Sequence, residues 1–391
     1  MKILYLHQYF NTPAMAGGTR SYEMGRRLVA WGHEVHMITT DRDGRFPKDK
    51  IWHETEEAGI HVHWTPVPYG NAMPYNERIK AFFAFSWRAA RRAVAIGGDI
   101  VFATSTPLTI AIPGVYASKR LGIPMVFEVR DLWPEVPIAL GALKNPLTIA
   151  AAEWLEGFAY RNAARVVTLS PGMMEGVIKK GVVPDRVTMI PNGCDIDLFQ
   201  NVTSKWRPEG VDDSDFMAIF AGAHGLANGL DALLDAAVEL QKKGANKIKV
   251  VLIGNGAIKK SLQKRAKKEN LKNVIFCDYV SKNRLVGLFA SADLGLQILS
   301  NIPEFHYGSS PNKFFDYIAS GLPVLINYPG WLDEEVKKNK IGISCSENSI
   351  ADGIWDYYKG ERISRQHVLT YAINNFSRDF LAKKIMNFID F

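Results

Sequence analysis

The chain has 391 residues, 47% of them hydrophobic, enough for two domains with complete cores. Its formal charge is +7, but residues 1–200 carry 22 basic and 19 acidic side chains, so the excess is spread over both halves. No nucleic-acid-binding signature accompanies it. The three cysteines, Cys194, Cys277 and Cys345, are odd in number and lack a CxxC spacing, which argues against a disulfide framework or a zinc site and for a reducing compartment. No run is long enough to cross a bilayer, and Met1–Phe10 reads as a first strand rather than a signal peptide.

The first half opens with a predicted strand at Ile3–Leu6, a loop through Gly17 and Gly18, and a helix over Thr19–Trp31 that Gly32 ends. Strands are expected at Glu34–Thr39, His61–Trp64, Ile100–Ala103, Met125–Val129, Val166–Leu169 and Val187–Ile190, with helices between most of them. Helix Glu77–Val94 places Ile79, Phe82, Phe83, Ala90, Ala93 and Val94 on an expected core stripe. Arg78, Arg88 and Arg92, with Phe85 among them, fall on the opposite face, a pattern suited to an anionic membrane surface. Residues 191–195 are turn-rich, and residues 200–215 are polar and read as a linker. Strands resume at Phe216–Phe220, Lys249–Ile253, Val274–Phe276, Asp293–Leu296 and Val324–Ile326. The alternation implies two doubly wound, parallel-sheet α/β domains, with ligands at the carboxyl ends of the strands.

Residues 309–326 carry the clearest chemistry. Ser310 is a candidate N-cap, Pro311 and Asn312 open a helix, and Gly321 and Pro323 close it before a buried strand. Free N–H groups at the helix start, with Lys313 one turn in, suit phosphate. Asp316 lies near enough to accept from a sugar hydroxyl, so a diphosphate with a ribose attached fits. The Gly222–Gly229 loop opening helix Leu230–Lys242 offers further N–H groups. Arg130 and Asp131 follow the strand Met125–Val129 and are expected to face a cleft. Asp41 and Asp43 form an Asp-x-Asp pair in a loop and are not assigned a metal.

These motifs resemble glycosyltransferase family 4, whose members have the GT-B fold: two Rossmann-like domains and a final helix crossing back to the first. The likeness runs through Gly17-Gly18-Thr19-Arg20, Leu28-x-x-x-Gly32-His33-Glu34-Val35, Pro191-Asn192-Gly193-x-Asp195, Gly254-Asn255-Gly256, Tyr279-Val280 and Gly321-x-Pro323-Val324. It implies an acceptor-binding domain over 1–199, a nucleotide-sugar domain over 200–375 and a returning helix over 376–391. Three departures stand out. Asp316 takes the second Glu of the family signature, but Gly308 takes the first, and Glu304 substitutes only if 302–309 folds differently. Ala223 and Asn228 replace the usual phosphate-binding Arg and Lys. Arg130 replaces a His while Asp131 is kept. This form resembles the WbuB-like transferases of bacterial O-antigen assembly.

The resemblance implies catalytic roles for Lys313, Arg130 and Asp131. It implies donor contacts from Gly18, Gly222, His224, Asn228, Gly254, Tyr279, Ser310, Pro311, Asn312 and Asp316. Arg20, Phe85, Arg88 and Arg92 are expected on the diphosphate, acceptor or membrane side. The implied reaction moves an N-acetylated 6-deoxyhexose from a UDP-sugar to a polyprenyl-diphosphate-linked sugar. It would run without metal or cofactor on an enzyme held peripherally at the cytoplasmic face of the membrane. The resemblance implies retention of configuration, with a donor phosphate oxygen taking the acceptor's proton, while Asp131 or Glu128 could serve as a base for inversion; a UDP-sugar 2-epimerase or a non-catalytic sugar-nucleotide-binding protein stays open.

Overall fold

The structure, a computed structural model, describes residues 1–15, 17–47, 49–70, 73–139, 141, 143–300 and 302–390. It divides into two compact units. The first comprises Met1–Pro191 with Gly308–Ser310 and Leu381–Phe391; the second comprises Asn192–Tyr307 and Pro311–Phe380.

The first unit holds eight strands: β1 (Lys2–Leu6), β2 (Glu34–Thr40), β3 (His53–Glu57), β4 (Ile60–Thr65), β5 (Ile100–Thr104), β6 (Met125–Val129), β7 (Arg165–Thr168) and β8 (Val187–Met189). They lie in the order β3-β4-β2-β1-β5-β6-β7-β8, all parallel except the β3–β4 hairpin. That hairpin was not expected from the sequence, because β3, His-Glu-Thr-Glu-Glu, has no apolar face. It is an edge strand, and Ala58 and Gly59, both at positive φ, make its tight turn. The central strands read as unbroken apolar runs because both faces are covered. Leu4, Leu6, Val101, Ala103 and Phe127 pack under helices Tyr75–Ile96, Ala111–Leu121 and Pro146–Asn162. Ile3, Tyr5, Met37 and Phe102 pack with helix Arg20–Ala30 and with Leu381, Ala382, Ile385 and Ile389 of helix Arg378–Ile389.

The second unit has β9 (Phe216–Ala221), β10 (Ile248–Ile253), β11 (Val274–Cys277), β12 (Leu294–Gln297), β13 (Val324–Ile326) and β14 (Gly342–Ser344), in the order β11-β10-β9-β12-β13-β14 and all parallel. The first crossing between units falls at Pro191–Asn192 rather than near 200. Cys194 pairs with Ser377 in an isolated bridge, its N–H donating to the Phe376 carbonyl (2.7 Å).

Helix Tyr75–Ile96 is rotated from the expected wheel. Phe85 is fully buried with Ala81, Ala89 and Ala93, whereas Phe83 and Trp87 are 55% and 66% exposed. Aromatic residues occupy both sides of this helix, so the sequence pattern alone has two solutions. The arginines decide it by hydrogen bonding back onto the sheet while their stems lie along it. Arg88 Nη1 donates to Thr65 Oγ1 (2.9 Å) and the Pro66 carbonyl (3.1 Å), and Arg92 pairs with Glu54 and with His63 Nδ1. The membrane roles expected for Phe85, Arg88 and Arg92 are therefore corrected: these residues hold the first unit together. Phe85→Ala should cost about 3–5 kcal/mol by the usual penalty for emptying a core aromatic site. Urea unfolding followed by circular dichroism measures it, and a loss under about 1 kcal/mol, typical of surface substitutions, would contradict the packing.

Candidate active site

In the second unit, β9 delivers Phe220 and then a loop that must pass close to the loop after β10. The approach is backbone to backbone. A Cβ on Gly254 (φ +138°) would sit 1.9 Å from the Gly222 carbonyl oxygen, and one on Gly256 would sit 2.3 Å from that of His224. These glycines are thus required by packing between loops. The His224 N–H donates to the Asn255 carbonyl (2.9 Å), and its carbonyl accepts from Ile258 (3.1 Å). Its imidazole is fully buried between Phe220 and Phe276. Burial, with the positive charge of Lys259 adding, pulls its pKa down to about 4, against a smaller opposing pull from the Ile253 backbone. His224 thus supports the loop from behind as a neutral ring, which corrects its expected contact with the donor.

Helix Asn312–Ala319 is locked to β9 by Tyr317, whose hydroxyl accepts from the Ala221 N–H (2.9 Å) and donates to the Ile219 carbonyl (3.2 Å). The helix opens at Asn312 with Pro311 in the cap position, one residue later than expected. Lys313 projects from its first turn. Its Nζ donates to Asn228 Oδ1 (2.6 Å) and lies 4.3 Å from the centre of the Phe220 ring. Asn228 in turn donates to the Ala223 carbonyl (2.8 Å), so its oxygen is fixed toward the lysine. Among the described residues no carboxylate lies within ion-pair reach of Lys313. Burial pulls its pKa from 10.5 down to about 7.

One turn on, Asp316 is 14% exposed, and its Oδ1 lies 3.2 Å from Lys282 Nζ. Its carboxyl pKa is raised by burial, with the Asp195 charge adding to it and Lys282 offsetting only part. Tyr279 is 51% exposed after β11, beside Asp278. Lys259, at the position where a dinucleotide fingerprint would carry its third glycine, clamps this end of the sheet. Its ammonium shares its three N–H groups among four acceptors, the carbonyls of Gly254 (2.9 Å) and Cys277 (2.8 Å), Asn255 Oδ1 (2.9 Å) and Asp278 Oδ1 (2.6 Å). Residues 303–308 form a short helix on which Glu304 is exposed. A Cβ on Gly308 would meet nothing within 4 Å. Space for a side chain is present there and unused.

In the first unit the strand order reverses between β1 and β5, the switch point where open α/β sheets take ligands. Arg130 and Asp131 lie there. The Arg130 N–H donates to Ser105 Oγ (2.9 Å), its Nη1 lies 3.2 Å from His7 Nε2, and Thr106 Oγ1 donates to Asp131 Oδ2 (3.3 Å). Burial holds His7 well below its ordinary pKa, and Arg130 adds to that. Thr106 is β-branched yet adopts φ +44°, a conformation that costs on the order of 1–3 kcal/mol and is typical of binding sites. His7, Ser105 and Thr106 were missed in the sequence because only the topology brings β1, β5 and β6 side by side. Gly18 is half-exposed in a loop pinned by Asn11 Nδ2 to its carbonyl (3.3 Å).

Arg20 does not face a ligand. It is 2% exposed, its Nε and Nη2 donate to Glu128 Oε1 (3.0 and 2.9 Å), and its remaining donors reach the Ile190 and Pro191 carbonyls (2.9 and 2.6 Å). Burial pushes the Glu128 carboxyl up, but Arg20, Arg130 and the Thr104 hydroxyl outweigh it and keep the group ionised. A fully buried ion pair of this kind serves architecture, and Glu128 is not free to act as a base. Asp41, of the Asp-x-Asp pair, accepts from the N–H groups of Arg45 and Phe46 (both 3.0 Å) and so closes a turn.

Comparison with known proteins identifies both parts of the chain. Residues 16–193 match the glycosyl transferase 4-like domain, and residues 203–374 match glycosyl transferases group 1. WcaI of Escherichia coli (strain K12), a glycosyl transferase named for colanic acid biosynthesis, is 24% identical over 322 residues, covering 76% of each chain. A GDP-mannose-dependent alpha-mannosyltransferase of Mycobacterium tuberculosis (strain CDC 1551 / Oshkosh) is 23% identical over 326 residues, covering 80% of this chain and 75% of the relative. Among solved structures, Anabaena Alr3699/HepE in complex with UDP superposes with a TM-score of 0.66 at 16% identity, covering 99% of both chains. With a glycosyl transferase 4-like domain followed by a group 1 domain, each built on its own parallel sheet, the chain belongs to the glycosyltransferases of GT-B fold.

Proposed function

We propose that this glycosyltransferase takes its sugar, an N-acetylated 6-deoxyhexose, from a UDP-sugar and passes it to a polyprenyl-diphosphate-linked sugar during assembly of a bacterial surface polysaccharide. The observation that carries the donor half is Lys313. A largely desolvated ammonium with an amide and an aromatic ring beside it, and no carboxylate in reach among the described residues, is an anion site awaiting its anion. HepE, of the same fold, binds UDP in its crystal, which supports a nucleoside diphosphate here. The likeness to WcaI supports a polysaccharide context.

In this reading the bond between the anomeric carbon and the diphosphate oxygen breaks, and the acceptor oxygen bonds to that carbon. The acceptor's proton passes to a base, and Lys313 with the first-turn N–H groups meets the charge growing on the departing UDP. Of the two carboxylates considered as base, Asp131 is the exposed one, held by Thr106. No metal takes part. The test is incubation with UDP- and GDP-linked sugars, with and without a polyprenyl-diphosphate sugar, in the presence of EDTA. Transfer should require a UDP-sugar and the acceptor and should survive chelation. Lys313→Ala should lower turnover about a hundredfold or more, the usual effect of removing one preorganised donor to developing charge. Normal turnover in that variant, or transfer only from GDP-sugars, would overturn the reading.

Lys313 also sets a pH dependence. In the nucleotide-free protein its ammonium loses its proton as pH rises through about 7, whereas the unfolded chain keeps it to about 10.5. The cost of the buried charge is therefore fully present below pH 7 and disappears as pH climbs toward 10.5. A bound diphosphate restores the proton. Above pH 7, UDP binding should take up close to one proton, and affinity should fall by at most about tenfold per pH unit. Calorimetric titration at pH 8 in two buffers of different ionisation enthalpy measures the uptake. Lys313→Met should abolish it, and wild-type protein that binds UDP with no uptake at pH 8 would contradict the assignment.

For the acceptor half, the aromatic side chains that do reach solvent support a membrane-facing surface. Phe83, Trp87 and Tyr116 flank a shallow apolar slot of about 170 Å³, with Arg91 beside Trp87 and Lys119 and Arg120 closing the neighbouring helix. Phe83→Ser/Trp87→Ser/Arg91→Glu should lose co-sedimentation with anionic vesicles at low salt while keeping its circular dichroism, since a basic group near such a surface contributes about 1 kcal/mol and the aromatic rings add to it. Absence of vesicle binding by the unaltered protein would count against a lipid-linked acceptor.

A further inference from the structure

Two carboxylates and two cations meet where helix Asn312–Ala319 approaches the segment that follows Pro191. Asp195, 6% exposed, pairs with Arg378 and with Lys282. Lys282 is shared: its Nζ also stands 3.2 Å from Asp316 Oδ1 and lies 5.8 Å from the centre of the Phe199 ring. The four charges cancel as a set, but their distribution is unequal. Burial pushes the Asp195 carboxyl up, and Arg378 and Lys282 together more than reverse it. Asp316 has Lys282 alone within ion-pair distance among the described residues. Burial likewise opposes the charge on Lys282, and its two carboxylate neighbours outweigh that and keep it an ammonium. Without Lys282, Asp195 retains Arg378 as its ion-pair partner, whereas Asp316 has only the smaller pull of Arg378 against burial and the Asp195 charge, and protonates more readily.

We propose that Lys282 is a positioning residue for donor recognition, holding Asp316 ionised and aimed so that its carboxylate accepts hydrogen bonds from the ribose hydroxyls of the nucleotide. This rests on the donor reading above. The geometry favours it in two ways. Tyr317, the next residue, fixes the helix to β9, which holds the backbone of Asp316 in place. The Lys282 ammonium stands 3.2 Å from Asp316 Oδ1, within ion-pair reach of the carboxylate it would hold. Lys282 opens helix Lys282–Ser291, outside every motif that marks the donor site.

The test compares UDP with 2′,3′-dideoxy-UDP, which keeps base and diphosphate and lacks the hydroxyls. Wild-type protein should bind UDP about tenfold or more tightly than the dideoxy analogue, the range expected for hydrogen bonds to a charged group. Lys282→Met should weaken UDP to the level of the analogue and leave the analogue unchanged. Lys282→Arg should restore the preference, and Lys282→Gln, which keeps a donor and much of the volume, should not. In the charge-removing variants the loss of UDP affinity on acidification should begin at higher pH than in wild type, because an unpaired Asp316 protonates earlier; turnover at saturating donor should change far less than KM. In an Asp316→Asn background, Lys282→Gln should have no further effect on the preference. A full ribose preference in both Lys282→Met and Lys282→Gln, or equal weakening of both nucleotides, would overturn the proposal. Wild-type protein that binds neither nucleotide would instead overturn the donor reading on which it rests.

Discussion

A largely desolvated ammonium with no carboxylate in ion-pair reach among the described residues is the constraint around which the site in the second unit is arranged. Lys313 sits against Phe220 and Asn228, and burial alone lowers its pKa to about 7. A protein that only had to fold would gain by placing a glutamate nearby or an apolar residue in its place, since a buried charge without its partner is expensive. The surrounding elements keep the arrangement in being. Tyr317 bolts the lysine's helix to β9, Asn228 is itself held by the Ala223 carbonyl, and the glycines at 254 and 256 let the neighbouring loop close from the side. Strain accepted locally and supported from outside is the mark of a site shaped for a ligand.

Other buried cations in both units follow the opposite rule, paired and structural. Arg20 and Glu128 neutralise each other at the centre of the first unit, and Asp195 draws in Arg378 and Lys282 next to the chain crossing. Lys259 ties together the ends of β10 and β11 through four acceptors. This contrast separates the partly buried Lys313 from these paired cations. Arg130 stands between the two classes: it is partly buried beside a neutral His7, at the switch point of its sheet, next to the exposed Asp131.

The sheets were legible in the sequence because parallel strands covered on both faces read as apolar runs, and every such run became a strand. The edge strands β3 and β14 were not legible: the first is polar throughout and the second is three residues long. At the site, Lys313 and Asp316 were readable from the capped helix and the Gly-x-Pro-Val that follows it. Arg20 was misread because a loop glycine beside an arginine looks the same whether the guanidinium faces a phosphate or a glutamate 108 residues away. Helix Tyr75–Ile96 was misread by rotation, since Phe82, Phe83, Phe85 and Trp87 offer apolar groups in nearly every direction. Lys282 and His7 carried no local signal; their partners are distant in sequence, and only the fold brings them together.

The most direct measurement of the central claim is a crystal structure of the protein with UDP. The account predicts an oxygen of the diphosphate within about 3 Å of Lys313 Nζ, the ordinary distance for a charge-assisted hydrogen bond, with the ribose hydroxyls on Asp316. A diphosphate bound elsewhere, with Lys313 still donating only to Asn228, would contradict it.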